Sequence, residues 1–225
     1  MVCARDRRTS PRRAASGRSA SATIAVVVLS SALWRRRDVV HGLAHGAISE
    51  LEPDPRHPHG GLLLDGSVVV ADDSGTWSSR HSVVTDRQWQ TRSVFVEVLS
   101  ADGLDRVELT ADPLGAWLLD GREWPELRGC TDVDLGATPL TNVLPLRRLG
   151  LAVGEEHSGD AAWLDLPSLA VHRVRQTYLR LPSEPDDPSG SARYRYTDPT
   201  YGSFTLTADA AGFVITYEDL FTRVG

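Results

Sequence analysis

Residues 129–155 read GCTDVDLGATPLTNVLPLRRLGLAVGE, and the fold prediction starts from this stretch. Within it, residues 132–135 alternate acidic and apolar side chains. An extended strand would therefore place both carboxylates on one face and both apolar side chains on the other. Pro139 lacks an N–H and restricts the preceding residue to extended geometry, which predicts that the strand ends there. Asn142 and Pro145 predict that the next residues stay irregular until a second apolar run begins.

The polar side chains of this stretch lie between segments that must be buried. A buried polar group without a partner costs roughly 1–3 kcal/mol, so these groups should bind one another or a ligand. Three interpretations stay open: a network in which Arg147 or Arg148 pairs with a carboxylate, contacts to the polar head of a ligand, and acid–base catalysis on a glycoside by Asp132 and Asp134. The nearby arginines should lower the pKa of both carboxyl groups, which works against a protonated general acid.

From Trp34 onward, apolar residues recur with a period of two rather than 3.6. In the clearest run, Val94, Val96 and Val98 share one face. Gly and Pro turn signals separate the runs, and we expect roughly ten to twelve strands in all. Strands are predicted at 61–71 (interrupted at Asp65-Gly66), 76–85, 88–100, 106–111, 116–119, 132–135, 161–166, 169–181, 203–208 and 213–217.

This pattern predicts an all-β, mainly antiparallel fold with few short helices. One curved sheet and a two-sheet sandwich fit the periodicity equally well. The only candidate for a longer helix is 38–50, which Gly42 and Gly46 weaken. Tyr194 and Tyr196 share one strand face and are candidates for the wall of a groove. The six tryptophans suit core packing, and also the face of a sugar or an acyl chain.

Charge is distributed unevenly along the 225 residues. The first 33 residues hold six arginines and one aspartate, a charge of +5. Since the net charge of the chain is −6, residues 34–225 carry −11. An acidic body argues against nucleic acid and anionic membrane surfaces as partners. Residues 1–21 are rich in Arg, Ser and Ala. We therefore predict a disordered basic tail at 1–21 and one β-rich domain at 22–225.

An apolar run at 22–33 is too short to span a bilayer, so no stable membrane insertion is expected. We predict that its end forms the first strand and that the protein is cytoplasmic. The alternative is an exported protein in which this run is the core of a signal peptide.

Signatures of metal, cofactor or nucleophilic chemistry are absent from the sequence. Cys3 and Cys130 lie in different regions, which predicts neither a disulfide framework nor a metal site. The seven histidines have no acidic or cysteine partners at metal-ligand spacing. No G-x-S-x-G elbow, P-loop or dinucleotide fingerprint is present, so no cofactor is expected.

The central stretch also resembles the signature of a bacterial family described as putative glycolipid-binding proteins. The family segment runs approximately D-D/V-D-L-G-x-T-P-x-T-N-x-L-P-I-R-R-L, and residues 132–149 follow it. Leu140, Val143 and Glu218 depart from the side chains expected at their positions. The resemblance covers about residues 34–224. Further matches are Trp34-Arg-Arg, Trp89-x-Thr91-Arg92, Ala162-Trp163-Leu164, Gln176-x-Tyr178, Tyr194-Arg-Tyr196, and Gly212-x-Val214 before Tyr217.

The resemblance implies a strongly curved sheet or incomplete β-barrel, similar to bacterial lipid-carrier folds. It also implies a non-catalytic protein that binds a glycolipid or related amphiphile on the concave face of that sheet. A carbohydrate-active hydrolase using Asp132 and Asp134 is the alternative, and a structural or regulatory module without a small ligand is a third possibility. The residues expected to contact the ligand are Asp134, Asn142, Arg147, Arg148, Gln176, Tyr178, Tyr194 and Tyr196.

Overall fold

The computed structural model describes residues 27–53, 55, 57–73 and 75–225. Within these residues the chain forms fifteen strands, one α-helix and two 3-10 helices, which confirms the all-β prediction. The strands are β1 (Val27–Arg36), β2 (His41–Leu51), β3 (Gly61–Asp72), β4 (Gly75–Thr85), β5 (Thr91–Ser100), β6 (Gly103–Ala111), β7 (Trp117–Leu119), β8 (Arg122–Glu123), β9 (Asp132–Leu135), β10 (Glu156–Leu164), β11 (Val171–Leu181), β12 (Ala192–Asp198), β13 (Gly202–Ala208), β14 (Val214–Tyr217) and β15 (Phe221–Arg223). The α-helix α1 is Val143–Leu149, and the 3-10 helices are Pro125–Leu127 and Leu140–Asn142.

All fifteen strands belong to one sheet, in the order β8-β7-β6-β5-β4-β3-β2-β1-β15-β14-β13-β12-β11-β10-β9. Only the β9–β10 pair is parallel; the other neighbours are antiparallel, so the sheet is mainly antiparallel as predicted. The described strands therefore do not form the two-sheet sandwich that the periodicity also allowed. The predicted tail at 1–21, and the start of the predicted domain at 22–26, lie outside the described residues.

The sheet curls until its β9 edge reaches β5, although ten strands separate these two in the sheet order. Two hydrogen bonds of Thr91, at the start of β5, connect β5 to this edge. Its N–H donates to the Thr131 carbonyl at 3.2 Å, and its hydroxyl oxygen accepts from the Val133 N–H at 3.0 Å. No strand ladder joins β5 to β9, so the strongly curved sheet is not closed into a barrel.

The inner face of the curled sheet has an apolar half and a polar half. Residues paired across a ladder lie on the same face of a sheet. In the first half, this register joins Ala32, Gly46, Gly66, His81 and Val96 into one buried row across β1–β5. In the second half, β9 and β11–β14 turn polar side chains to the same interior. These are Asp132, Asp134, Gln176, Tyr178, Tyr194, Tyr196, Asp198 and Tyr217.

The central segment, residues 136–149, folds back against this interior. Its 3-10 helix lays Leu140 on Gly46 of β2, where an added Cβ would lie 2.7 Å from Leu140 Cδ1. Its α-helix lays Val143 beside Gly212, where an added Cβ would lie 2.9 Å from Val143 Cγ2. The two glycines therefore leave the space that the segment occupies.

One prediction of local structure is confirmed and one is wrong. The weak helix candidate at 38–50 is not a helix, because most of its residues belong to strand β2, in which Gly46 makes room for Leu140. The residues after Asn142 are not irregular, because α1 begins at Val143. Pro145 lies in the first turn of that helix, where a missing N–H breaks no intrahelical hydrogen bond. Gly150 ends the helix in the left-handed conformation, at φ 56°.

Three further strand predictions can be compared with the structure. β3 runs through Asp65 and Gly66 without the predicted interruption. The end of the apolar run at 22–33 does form the first strand, β1. Val94, Val96 and Val98 are buried together, as their alternation predicts. No helix in the described part of the chain is long and apolar enough to cross a membrane.

Candidate functional site

A cavity of about 240 Å³ lies between the start of the central segment and the polar half of the inner face. The central segment supplies Gly136, Thr138 and Asn142 to its wall, and β9 supplies Asp134. Aromatic side chains from β10 to β15 cover much of the remainder: Trp163, Tyr196, Tyr201, Phe204, Tyr217 and Phe221. The cavity is also lined by the charged residues Asp38, Asp165, Asp198 and Arg36. The Arg36 guanidinium donates to both carboxylate oxygens of Asp38, at 3.1 and 2.6 Å.

Asp134 is the centre of a buried hydrogen-bond network. Its Oδ1 accepts from the Thr141 hydroxyl at 2.9 Å, and its Oδ2 accepts from Gln176 Nε2 at 2.6 Å. The same Gln176 nitrogen donates to the Tyr196 hydroxyl at 3.0 Å. The Thr141 hydroxyl oxygen in turn accepts from the N–H of Leu135 at 3.1 Å. Asp134 thus ties the central segment to β11 and β12 across the inner face.

Burial raises the pKa of Asp134 to about 6. The hydrogen bonds from Gln176 and Thr141 oppose this shift, and the charges of Asp198 and Asp132 add to it. No arginine bonds to Asp134 in the described residues, so the predicted lowering of its pKa by a cation is wrong. Burial also raises the pKa of the Tyr178, Tyr196 and Tyr217 hydroxyls, which keeps these groups protonated.

Asp132 faces a different partner from Asp134. Its two oxygens accept from Arg148 Nε at 3.1 Å and Nη2 at 2.5 Å, a bidentate pair. Burial raises the pKa of Asp132, and the Arg148 contact offsets part of the shift. Asp132 lines a second cavity of about 40 Å³, with Arg148 and His157. The predicted arginine–carboxylate network therefore exists at Asp132, and the two carboxylates open on different spaces.

Two wall residues carry buried polar atoms that have no hydrogen-bond partner among the described residues. Asp198 uses Oδ1 to accept from the N–H groups of Thr200 and Tyr201, both at 2.7 Å, while its Oδ2 has no partner. The indole Nε1 of Trp163 is a donor without an acceptor. An unmet polar group of this kind costs roughly 1–3 kcal/mol. Asp198 and Trp163, two residues of the cavity wall, therefore carry one unmet acceptor and one unmet donor.

The position of Trp163 is set by close packing. A Cβ on Gly136 would lie 2.8 Å from Trp163 Cζ2, so only glycine leaves room for the indole. Tyr201 covers the indole with a ring-centroid separation of 5.1 Å and an interplanar angle of 32°. Tyr201 itself is 51% exposed, so this aromatic pair extends from the cavity to the surface.

The structure brings five of the eight predicted ligand residues together. Asp134, Asn142 and Tyr196 line the larger cavity. Gln176 lies behind them in the network, and Tyr178 accepts from Asn142 Nδ2 at 3.1 Å.

The other three predicted ligand residues do not line the larger cavity. Arg148 binds Asp132. Arg147 donates to the Ala210 carbonyl at 3.0 Å and lies over the ring of Trp89. Tyr194 accepts from Arg180 Nη1 at 2.7 Å.

Sequence reasoning did not select Trp163, Asp198, Tyr201 or Tyr217 as site residues. Signals for three of them are present in the sequence. Asp198 continues the alternating face of Tyr194 and Tyr196, and Trp163 and Tyr217 lie in matched family segments. No group of three or more His, Cys, Asp or Glu side chains in the described residues is arranged to hold a metal ion.

Comparison with known proteins gives one family and two solved structures. The family described as "Putative glycolipid-binding" matches residues 31–223. A crystal structure of a DUF1089 family protein from Pseudomonas aeruginosa is 30% identical, with a TM-score of 0.66; the match covers 80% of this chain and 92% of that one. A β-barrel-like protein of domain family DUF1849 from Brucella abortus is 10% identical, with a TM-score of 0.48, over 86% of this chain and 93% of that one. None of the curated proteins matches the chain. Since the family match spans nearly the whole sheet and the central segment, the chain belongs to the family described as "Putative glycolipid-binding".

Proposed function

We propose that this protein binds an amphiphilic ligand, a glycolipid or related lipid, without catalysing a reaction. The head of the ligand enters the cavity beside Asp134 on the concave face of the sheet. The composition of the cavity wall carries the proposal. Aromatic surface and a few polar groups converge on one recess, as they do in small-molecule sites. The description of the family names the same class of ligand.

The size of the cavity favours binding of a head group rather than a whole lipid. Sites for drug-sized ligands hold roughly 300–1,000 Å³, and this cavity holds about 240 Å³. The acyl chain would therefore stay outside the cavity, where the exposed ring of Tyr201 offers apolar surface.

The predicted ligand residues divide between two roles in this proposal. Asp134, Asn142 and Tyr196 line the cavity and are placed to contact the head group. Gln176 and Tyr178 orient these side chains through hydrogen bonds. The remaining predicted residues, Arg147, Arg148 and Tyr194, act indirectly, by holding the central segment and its neighbours in place.

One observation favours the hydrolase alternative. Asp134 has a pKa raised to about 6, which suits a general acid, and Asp198 is a second carboxylate in the same wall. Against it, both Asp134 oxygens are occupied by donors, from Thr141 and Gln176. Asp132 and Asp134 also do not act on one space, because Asp132 is held by Arg148 and lines the smaller cavity.

Native mass spectrometry of the full chain purified without detergent, followed by lipid extraction, tests the proposal. We expect a bound amphiphile. Leu220→Trp, which adds bulk to the cavity wall, should abolish its retention. Leu119→Trp is the control, since Leu119 is also half-buried but lies on β7, away from the cavity. Full retention by a folded Leu220→Trp variant would place the ligand elsewhere. A chain that carries no lipid and binds none when lipids are added would favour a structural or regulatory module.

A further inference from the structure

Carboxylates outnumber cations in the wall of the larger cavity. Asp38, Asp134, Asp165 and Asp198 line it, against the single cation Arg36. That guanidinium is already engaged by Asp38 in a two-point contact. A phosphate, sulfate or carboxylate head group would therefore meet uncompensated negative charge, which makes its entry unfavourable.

The unmet polar atoms of Asp198 and Trp163 favour some head groups over others. Asp198 Oδ2 requires a donor, and Trp163 Nε1 requires an acceptor. A sugar hydroxyl can both donate and accept, whereas a quaternary ammonium group can do neither. An ammonium group would satisfy the negative charge of the wall but would leave the indole N–H unpaired.

The aromatic part of the wall suits a sugar ring. Trp163, Tyr201, Tyr196 and Tyr217 present flat apolar surface next to the polar groups. Such surfaces pack against the C–H face of a sugar while the hydroxyls reach polar partners at its edge. The edge of Trp163 is held in place because Gly136 and Tyr201 pack on the indole.

We propose that the cavity selects an uncharged sugar head group, anchored by Asp198 as acceptor and Trp163 as donor, and excludes anionic heads. This inference rests on the proposed function and adds to it a charge class and two anchoring residues. Neither anchor belongs to the set that the sequence singled out as ligand residues.

The test is a chain-matched binding series measured by calorimetry below the micelle concentration. The probes are dodecyl glycosides of glucose, galactose and mannose, dodecyl phosphate, and dodecyltrimethylammonium. We expect at least one glycoside to bind about tenfold or more tightly than the phosphate and the ammonium. If either charged probe binds as well as the best glycoside, the inference is wrong although the proposed function stands. If no probe binds, the proposed function fails as well.

Two variants test the anchors. Trp163→Phe removes the indole donor but keeps an aromatic ring, and Asp198→Asn removes the charge but keeps an oxygen that can accept from the Thr200 and Tyr201 N–H groups. Each should weaken glycoside binding about five- to tenfold, and Asp198→Asn should also reduce the discrimination against phosphate. Trp124→Phe is the control, because its indole nitrogen is likewise buried without a partner but lies outside the cavity wall. Glycoside binding unchanged by Trp163→Phe would remove Trp163 as an anchor and overturn the assignment.

Discussion

Leu140 of the central segment packs directly on Gly46 of strand β2. A Cβ added to Gly46 would lie only 2.7 Å from Leu140 Cδ1. Both positions are fully buried or nearly so. This contact fixes the depth to which the segment enters the curled sheet. The segment in turn supplies one wall of the cavity, so packing at Gly46 and ligand binding are coupled through residues 136–142.

Gly46→Ala should destabilise the fold by about 1–3 kcal/mol, because a new methyl group is forced into a filled space. Gly159→Ala is the matched control: it is also a strand glycine, but its added Cβ would meet only ordinary contacts with His157, the nearest at 3.4 Å. Denaturant unfolding measures both. Since Leu140 causes the overlap, Leu140→Ala should cost less in the Gly46→Ala background than in the original chain. Equal stability of the two glycine variants would show that the segment does not press on Gly46.

Arg148→Gln should cost about 3 kcal/mol, because it leaves the Asp132 carboxylate buried without its cation. Adding Asp132→Asn should recover much of the loss, since the uncompensated charge is then gone. Arg147→Gln provides the comparison at the neighbouring position, where the guanidinium donates one bond to the Ala210 carbonyl; about 1 kcal/mol is expected there. Chemical unfolding of these three variants and the original chain measures the differences. If the double variant is no more stable than Arg148→Gln, the pair is not the reason for the loss.

Two buried groups on the inner face, Asp134 and His81, should make opposite contributions to the pH dependence of the free energy of unfolding. The pKa of Asp134 is raised from 3.8 to about 6, so its contribution favours the fold at low pH and is lost as the pH rises through 6. Burial lowers the pKa of His81 from 6.5 to about 4, so its contribution favours the fold above pH 6.5 and is lost as the pH falls through 4. Each is worth on the order of 3 kcal/mol, and over pH 4–6.5 the two largely cancel.

Single variants should separate these contributions. Relative to the original chain, Asp134→Asn should become less stable as the pH falls from 7 to 4.5, and His81→Leu should become more stable. The double variant should follow the original pH profile. Free energies of unfolding at the two pH values give the comparison. Shifts of the same sign in both single variants would contradict the assignment.

Much of the fold follows from local sequence. Alternation at Val94, Val96 and Val98 predicts a strand with one buried face, and the Asp-Val-Asp-Leu alternation at 132–135 predicts β9. Alternation does not reveal that Gly46 lies under Leu140, since the two are distant in sequence. The two glycines of 38–50 therefore counted against a helix there without indicating the strand that forms.

The candidate site was only partly predictable for the same reason. Asp134 and Asn142 stand out locally, as polar residues between apolar runs. One of the two partners of Asp134 is Gln176, 42 residues away, so neither the absence of a cation nor the raised pKa could be read from neighbouring residues. Arg148 was expected near a carboxylate, but only the position of α1 relative to β9 decides that Asp132 is its partner. The cytoplasmic location and the disordered tail at 1–21 stay predictions.

The chain should not hydrolyse aryl glycosides at neutral pH. A glycosidase needs one carboxyl group free to protonate the leaving group. Asp134 is the carboxyl group of the wall whose pKa is raised to about 6, and both of its oxygens already accept hydrogen bonds. Release of nitrophenol from a panel of nitrophenyl glycosides measures this directly. Turnover that disappears in a folded Asp134→Asn variant, but survives in Asp102→Asn at an exposed turn, would establish the hydrolase instead.

The central claim, that a ligand head enters the cavity beside Asp134 and Trp163, is tested most directly by the indole N–H signals of the six tryptophans in a ¹H–¹⁵N correlation spectrum. Trp34 and Trp117 serve as internal references, since their indole N–H groups already donate to the Val214 and Cys130 carbonyls at 2.7 and 3.0 Å. During titration with the tightest-binding dodecyl glycoside, the Trp163 signal should move downfield as its N–H gains an acceptor, while those of Trp34 and Trp117 stay in place. A saturable titration that leaves the Trp163 signal unmoved would contradict the account.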